Sequence, residues 1–329
     1  MHTDQGEGIG EGIGEGSGEG SAEGGLERRA GSGLGGLERR ASIAPLVIAW
    51  FAEHARDLPW RRPGFSAWGT LVSEFMLQQT PVARVIPRLE QWLARWPTPD
   101  ALAADSPAEA VRAWDRLGYP RRALRLHAAA AAISEHHGGV IPSDVDALLA
   151  LPGIGDYTAR AVAAFAFGKP VPVVDVNTRR VIARAVNGRG EAGPARTRVD
   201  LAAMHQLLPG DPTEARQFNA GAMELGQTVC VARTPRCDAC PIAELCAWRA
   251  AGYPQYDGPD APRQARFEGS DRQVRGLIMR ELRLSDTPVP AEVIEQLWPD
   301  AVQRERALAG LLADGLARGS AATGFELPR

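Results

Sequence analysis

The stretch "CVARTPRCDACPIAELC", residues 230–246, holds all four cysteines of a 329-residue chain: Cys230, Cys237, Cys240 and Cys246. Their spacing is C-x6-C-x2-C-x5-C. No cysteine lies elsewhere to suggest a disulfide framework, and disulfides are rare in a reducing cytosol. Four thiolates this close suit a tetrahedral metal centre, either zinc or an iron–sulfur cluster. Zinc ribbons favour two C-x2-C pairs, and only one is present here. Unequal gaps of six, two and five residues let a single loop wrap a larger cubane. The reading we prefer is a [4Fe–4S] cluster, with a zinc knuckle as the plainer alternative.

About 70 residues upstream stands "LPGIGDYTARAVAAFAFG", residues 151–168, preceded by "SDVDALLA". Ser143 or Asp144 can cap a short helix that ends at Leu151–Pro152. Gly153 and Gly155 can take backbone conformations that other residues avoid, and a second helix starts near Tyr157. Amide N–H groups at such a turn, with the positive end of the second helix, form an anion site that a DNA phosphate fits. A plain αα-hairpin is the simpler reading of the bare P-G-x-G pattern.

Two carboxylates flank this hairpin in the chain. Glu74 lies in "SEFMLQQTPVARV", residues 73–85, and Asp175 lies in "VPVVDVNTRRVIARAV", residues 171–186. Asp175 at an apparent helix start reads most simply as an N-cap, and Glu74 could face solvent. Yet Leu71, Phe75, Met76, Leu77 and Gln78 leave Glu74 little room for a wet face. A carboxyl in apolar surroundings has its pKa raised and can donate a proton near neutrality. An acid of that kind beside a carboxylate is the pair that breaks a glycosidic bond through an oxocarbenium-like transition state.

Around these motifs the pattern from Ile43 to Trp248 is helical, with apolar residues at three- and four-residue spacings in "EQWLARW" and "ALRLHAAAAAISEHH". "KPVPVVDV" carries two prolines and reads as an extended connection. The expectation is an all-α domain over residues 43–249, built from roughly ten short helices by typical helix length. Residues 1–42 hold 14 of the 36 glycines and are expected to be a disordered Gly/Glu-rich tail. Residues 250–266 read as a linker. Residues 267–329 show helix patterns around Arg272–Leu284, Ala291–Leu297 and Val302–Leu316, then "GSAATGFELP", an order similar to a winged helix.

Composition adds two bounds. Without its first 42 residues the chain carries 33 basic against 32 acidic residues, which neither demands nor excludes nucleic acid bound through a local basic face. Thirty-six of the 37 basic residues are arginines, so Lys169 is the one lysine available for Schiff-base chemistry. Neither a signal peptide nor a membrane-spanning stretch is visible, so a soluble, cytoplasmic protein is expected.

Taken together, these residues resemble the MutY-type adenine DNA glycosylases of the helix–hairpin–helix, iron–sulfur superfamily. The resemblance runs from about Leu58 to Cys246 and rests on "LPWR", "SEFMLQQTPV", "RLGY", "LPGIGDYTA", "VDVN", "NAGAMELG" and the cysteine loop. It implies a two-lobed fold, a [4Fe–4S] cluster on the four cysteines, and a monomer acting at the nucleoid on double-stranded DNA with an adenine mismatch. It makes Glu74 the acid that protonates N7 of a flipped adenine, and Asp175 the stabiliser of the oxocarbenium ion, with Asn177 assisting. Tyr157 falls where the strand-cleaving relatives carry their Schiff-base lysine. Trp60, Arg61, Leu77, Val82 and Glu224 would line the adenine pocket, although Trp60 and Leu77 also read as ordinary core. Gln79 would wedge the base stack, supported by Gln78 and Thr80, with Tyr119 intercalating and Gly153 and Gly155 gripping a phosphate.

Two features depart from that family. Its common second tyrosine is Pro120 here, and the 63 residues from Phe267 are too few for the Nudix-like domain that reads 8-oxoguanine in many members. Recognition of the opposite base is therefore expected either to be weaker or to fall to Gln79, Thr80 and the small C-terminal unit. The competing readings are an endonuclease III-like enzyme for oxidised pyrimidines, disfavoured by Tyr157, and a non-catalytic DNA-binding module, disfavoured by Glu74 and Asp175.

Overall fold

The computed structural model describes residues 34–259 and 266–329. Helix dominates, as the apolar spacing predicts, and the one sheet among the described residues is a two-stranded hairpin near the C-terminus. Leu34–Ala41 (α1) is helical, although it falls inside the stretch expected to be unstructured. Leucine, glutamate and arginine are good helix formers and outweigh its two glycines. Arg40 ties α1 down through a hydrogen bond to Gln206 (3.0 Å). Residues 1–33, the rest of that stretch, lie outside the described residues.

One lobe gathers around α3 (Ala67–Leu77). Ser66 caps this helix by accepting from the Gly69 N–H, and every residue from Trp68 to Met76 is buried. A helix buried on all faces has no wet side, so any polar residue within it faces either a partner or a cavity. Around α3 stand α4 (Val82–Arg95), α5 (Pro99–Ala103), α6 (Pro107–Trp114), α7 (Arg121–His137), α8 (Val145–Leu149) and α9 (Asp156–Phe167). Asp144, rather than Ser143, caps α8. Edge-on packing of Trp92 against Trp96 and Trp114 centres this core.

The second lobe packs α2 (Ile43–His54) against α10 (Val176–Ala185), α11 (Thr197–His205) and α12 (Pro212–Thr228). The chain crosses from α9 to α10 through the extended segment 169–175. There the Asn219 side chain accepts from the Val173 N–H (2.9 Å) and donates to the Val171 carbonyl (3.0 Å). A buried amide thus does for this segment what a neighbouring strand would do in a sheet. The cysteine loop closes this lobe and leads into α13 (Ala247–Ala250).

The C-terminal unit contains α14 (Asp271–Leu284), α15 (Ala291–Glu295), α16 (Ala301–Ala313) and the hairpin β1 (Arg318–Ser320) with β2 (Gly324–Glu326). Three helices followed by a hairpin is the order of a winged helix. Val274, Ile278, Leu311 and Phe325 from this unit share one continuous core with Trp92 and Trp114 of the first lobe.

Candidate active site

Between the lobes opens a cavity of about 750 Å³, within the usual range for ligand pockets. α3 contributes Glu74 and Leu77, α9 contributes Tyr157, α10 and its cap contribute Asn177 and Asp175, and α12 contributes Glu224. Trp60 and Arg61 enter from a 3-10 turn, Thr80 from the α3–α4 connection and Val82 from the first turn of α4. The catalytic and pocket residues expected from sequence therefore all line one cavity.

Glu74 is the most unusual of them. Its Oε2 is buried and makes no hydrogen bond. Burial pushes its carboxyl up to about 7; the Asp175 charge adds to that rise, and a hydrogen bond from Tyr157 opposes it. Burial and the same two carboxylates push the Tyr157 hydroxyl well above its ordinary value, so this hydroxyl remains a donor at neutral pH.

Asp175 caps α10 and faces the cavity at once. One of its oxygens accepts from the Thr178 N–H and the other from the Asn177 amide, both at 2.7 Å. The N-cap reading and the catalytic reading describe a single geometry. Asn177 also donates to Gln227 Oε1 (3.2 Å) and accepts from Arg180 (2.8 Å), which fixes the amide's orientation. Arg180 reaches on to the carbonyls of Gly226 and Cys230, both at 2.7 Å. A single buried guanidinium thereby joins the Asp175 cap to the cysteine loop.

Glu224 accepts from Arg56 Nε (2.6 Å) and Arg61 Nη2 (2.8 Å). Burial would raise its pKa, but the hydrogen bonds and charges of the two arginines outweigh burial and hold the carboxyl below its ordinary value. Arg56 lines the cavity and went unnoticed in the sequence. The only signal was its position five residues before Arg61, whose side chain hydrogen-bonds the Arg56 carbonyl (3.2 Å).

The four cysteines are partly buried. The Cys240 thiol, pushed up to about 12 chiefly by burial, also feels the charges of Cys230, Cys246 and Cys237. Among the described residues, no three His, Cys, Asp or Glu side chains are set to hold a single metal ion. Four partly buried thiols, close enough that Cys240 feels the charge of the other three, are a donor set of the kind an iron–sulfur cluster takes. Arg184 supports the loop by donating to the Val231 and Ala232 carbonyls, both at 2.8 Å, and to Cys230 Sγ at 3.5 Å.

Of the expected DNA-contacting residues, Thr80 lines the cavity, whereas Gln78, Gln79, Tyr119, Gly153 and Gly155 do not. Gln79 and Tyr119 both adopt left-handed backbone (φ 54° and 48°), rare for residues with side chains. Tyr119 is exposed. Thr80 is buried and donates to the Leu117 carbonyl (3.1 Å), while the Gln78 amide reaches Thr158 Oγ1 at 3.5 Å. Gly153 has φ 75°, and a Cβ there would lie 2.6 Å from Arg125 Cβ, so this turn requires glycine. Gly155 needs no such freedom: it takes ordinary extended backbone (φ −106°) as the N-cap of α9.

Residues 72–204 match the family described as HhH-GPD superfamily base excision DNA repair protein, and residues 230–246 match the iron–sulfur binding domain of endonuclease III. The adenine DNA glycosylase of Mycolicibacterium smegmatis is 55% identical over 288 residues, covering 87% of this chain and 96% of the relative. That of Mycobacterium tuberculosis is 52% identical over 283 residues, covering 86% and 92%. Among solved structures, a thermostable thymine-DNA glycosylase superposes with a TM-score of 0.59 at 26% identity, over 65% of this chain and 98% of that one. A non-covalent endonuclease III–DNA complex gives 0.55 at 21% identity, over 65% and 97%, which speaks to the fold alone.

Proposed function

The chain belongs to the adenine DNA glycosylase family of the HhH-GPD superfamily, and from that membership we propose that it is a monofunctional enzyme removing adenine mispaired with 8-oxoguanine or guanine in duplex DNA. The observation that carries the reading is Glu74: a buried carboxyl with an unpartnered oxygen and a pKa of about 7, facing a cavity large enough for a flipped base.

In this reaction Glu74 gives its proton to N7 of the flipped adenine. The C1′–N9 bond then breaks, and its electron pair leaves with the base. Positive charge grows on C1′ and the ring oxygen, opposite the Asp175 carboxylate. Water adds to C1′ and returns a proton to Glu74, so the enzyme ends as it began. Tyr157 holds Glu74 by its hydroxyl, and Asn177 holds Asp175. The Arg56–Glu224–Arg61 group offers both donors and an acceptor to the polar edge of a base, while Trp60, Leu77 and Val82 form apolar lining.

A lysine nucleophile is missing where strand cleavage would need one: position 157 is Tyr, and exposed Lys169 follows the end of α9. Gln79, with Gln78 and Thr80 behind it, and Tyr119 would enter the duplex, and the Gly153–Gly155 turn would hold a phosphate. Cys230, Cys237, Cys240 and Cys246 would hold the [4Fe–4S] cluster, whose iron–thiolate bonds cross-link the loop and whose irons exchange single electrons. No helix among the described residues is long and apolar enough to cross a membrane. The proposal carries with it a cytoplasmic, nucleoid-associated monomer.

The test is single-turnover cleavage of a labelled duplex carrying A opposite 8-oxoguanine, with and without alkali. Cleavage of the A strand only after alkali is expected, faster than for A opposite cytosine. Cleavage of a thymine glycol duplex without alkali would replace the proposal with the endonuclease III-like reading.

A further inference from the structure

α3 stops at Leu77, and the chain turns through Gln78 and Gln79 into Thr80. The last carbonyls of a helix have no partner within it and must find donors elsewhere. Here the donor is Arg122 on α7, 5% exposed. Its Nη1 donates to the carbonyls of Phe75 (2.7 Å), Met76 (3.2 Å) and Gln78 (2.6 Å). Its Nη2 donates to Thr80 Oγ1 (3.1 Å) and to the carbonyls of Leu117 (3.5 Å) and Gly118 (3.0 Å). No carboxylate is among these partners. The charge is instead met by six oxygens and the negative end of α3, with the guanidinium 5.2 Å from the Trp114 ring and 5.6 Å from the Tyr119 ring.

The two branches of one guanidinium thus serve two separate turns. One turn carries Gln79 and the other carries Tyr119, and both residues are left-handed (φ 54° and 48°). Such backbone is strained and persists only where its surroundings over-determine it. Thr80 Oγ1 closes the arrangement by donating to the Leu117 carbonyl (3.1 Å) across the gap between the turns.

We propose that Arg122 is a positioning residue that locks the Gln79 and Tyr119 turns into one rigid wedge, so that flipping and opposite-base discrimination depend on its planar fork. The inference rests on the reading that these two turns enter the DNA. Arg122 does not line the cavity, so its effect is separable from the chemistry at Glu74. A lysine would keep the charge but could not serve both turns at once.

The decisive comparison is Arg122→Lys against the double variant Gln79→Ala/Tyr119→Ala. Single-turnover rates on A opposite 8-oxoguanine, guanine and cytosine give discrimination, and 2-aminopurine beside the target adenine reports unstacking on binding. Arg122→Lys should narrow discrimination about tenfold and reduce the unstacking signal, with the acid limb of the pH–rate profile unmoved. The double variant should show the same loss, and adding Arg122→Lys to it should cost little more, because the three residues act as a unit.

If the double variant discriminates and unstacks as wild type does, the reading of the turns is wrong. If the double variant loses both and Arg122→Lys keeps both, that reading stands and the clamp is overturned. A moved acid limb in Arg122→Lys would also overturn it, since a general distortion of the site is then the cause. Should Arg122→Lys not fold, Thr80→Val removes the hydroxyl shared by Arg122 and Leu117. It must narrow discrimination in the same direction; wild-type discrimination there overturns the clamp.

Discussion

At the scale of single residues, Glu74, as the proposed general acid, should set the pH behaviour of both activity and stability. Its carboxyl lies at about 7 in the fold against an ordinary 4.5. As a general acid it must be protonated, so the single-turnover excision rate should fall as pH rises through about 7. Glu74→Gln should lower that rate by roughly a hundredfold or more across the range. Stability has its own sign. A carboxyl raised on folding binds its proton more tightly in the native state, so its contribution is complete below about pH 4.5 and is lost as pH rises towards 7. The loss is on the order of 3 kcal/mol, and Glu74→Gln does not suffer it. Thermal melts should show the Gln variant more stable than wild type at pH 8, with the difference closing by pH 5. Equal melting temperatures at pH 8 would mean that Glu74 is not desolvated as its burial indicates. Glu74 was legible in the sequence because Phe75 and Met76 flank it. Arg122 was not, because nothing in "YPRRALRL" separates it from Arg121, which is half exposed and pairs with Asp314 at 3.0 Å. Neighbours on a helix point about 100° apart, and only the packed fold decides which one faces inward.

At the scale of elements, the setting of Asp175 and Asn177 depends on how closely α12 approaches α10. A Cβ at Gly226 would lie 2.7 Å from the Asn177 carbonyl oxygen, a contact with backbone that no side-chain rotation relieves. Gly226→Ala should therefore push the helices apart, at a typical overpacking cost of about 1–3 kcal/mol. The displaced residues are those that orient Asp175, since Arg180 spans the Gly226 carbonyl and the Asn177 amide. We expect the excision rate to fall at least about tenfold through misplacement alone, with adenine-duplex binding nearly unchanged. Measuring the single-turnover rate beside the dissociation constant checks this; a loss confined to binding would refute it. Glycine and asparagine in "NAGAMELG" and "VDVN" were visible as motifs, but the contact between the motifs was not. Periodicity reports which face of a helix is apolar and says little about which neighbour meets it. The cysteine loop was more legible, because four ligands within 17 residues leave few geometries. The expected tail ends earlier than its glycine content implies, because the helix formers within residues 34–41 outweigh the glycines beside them.

At the scale of the whole molecule, the C-terminal unit is built as part of the first lobe. Its helices share the Trp92–Trp114 core, and Arg112 clamps it by donating to the carbonyls of Arg283 (3.3 Å) and Ser285 (2.9 Å). Asp314 pairs with both Arg121 and Arg275, so the segment leading into α7 and the Tyr119 turn rests against this unit. From Phe267 the unit carries eight arginines against ten acidic residues, a poor balance for gripping phosphates by itself. The sequence order pointed to a winged helix and hence to a DNA reader; the packing argues for a brace. A tethered reader with its own core would melt separately, whereas a shared core melts together. Calorimetry of the full chain should therefore give one cooperative transition. Deleting residues 266–329 should lower its midpoint by several degrees and narrow opposite-base discrimination with it, because apolar surface beside Trp114 loses its cover and the Tyr119 turn loses its support. Two resolved transitions in the full chain, or a truncated chain that melts and discriminates as the full one does, would return the unit to the role of an appended domain.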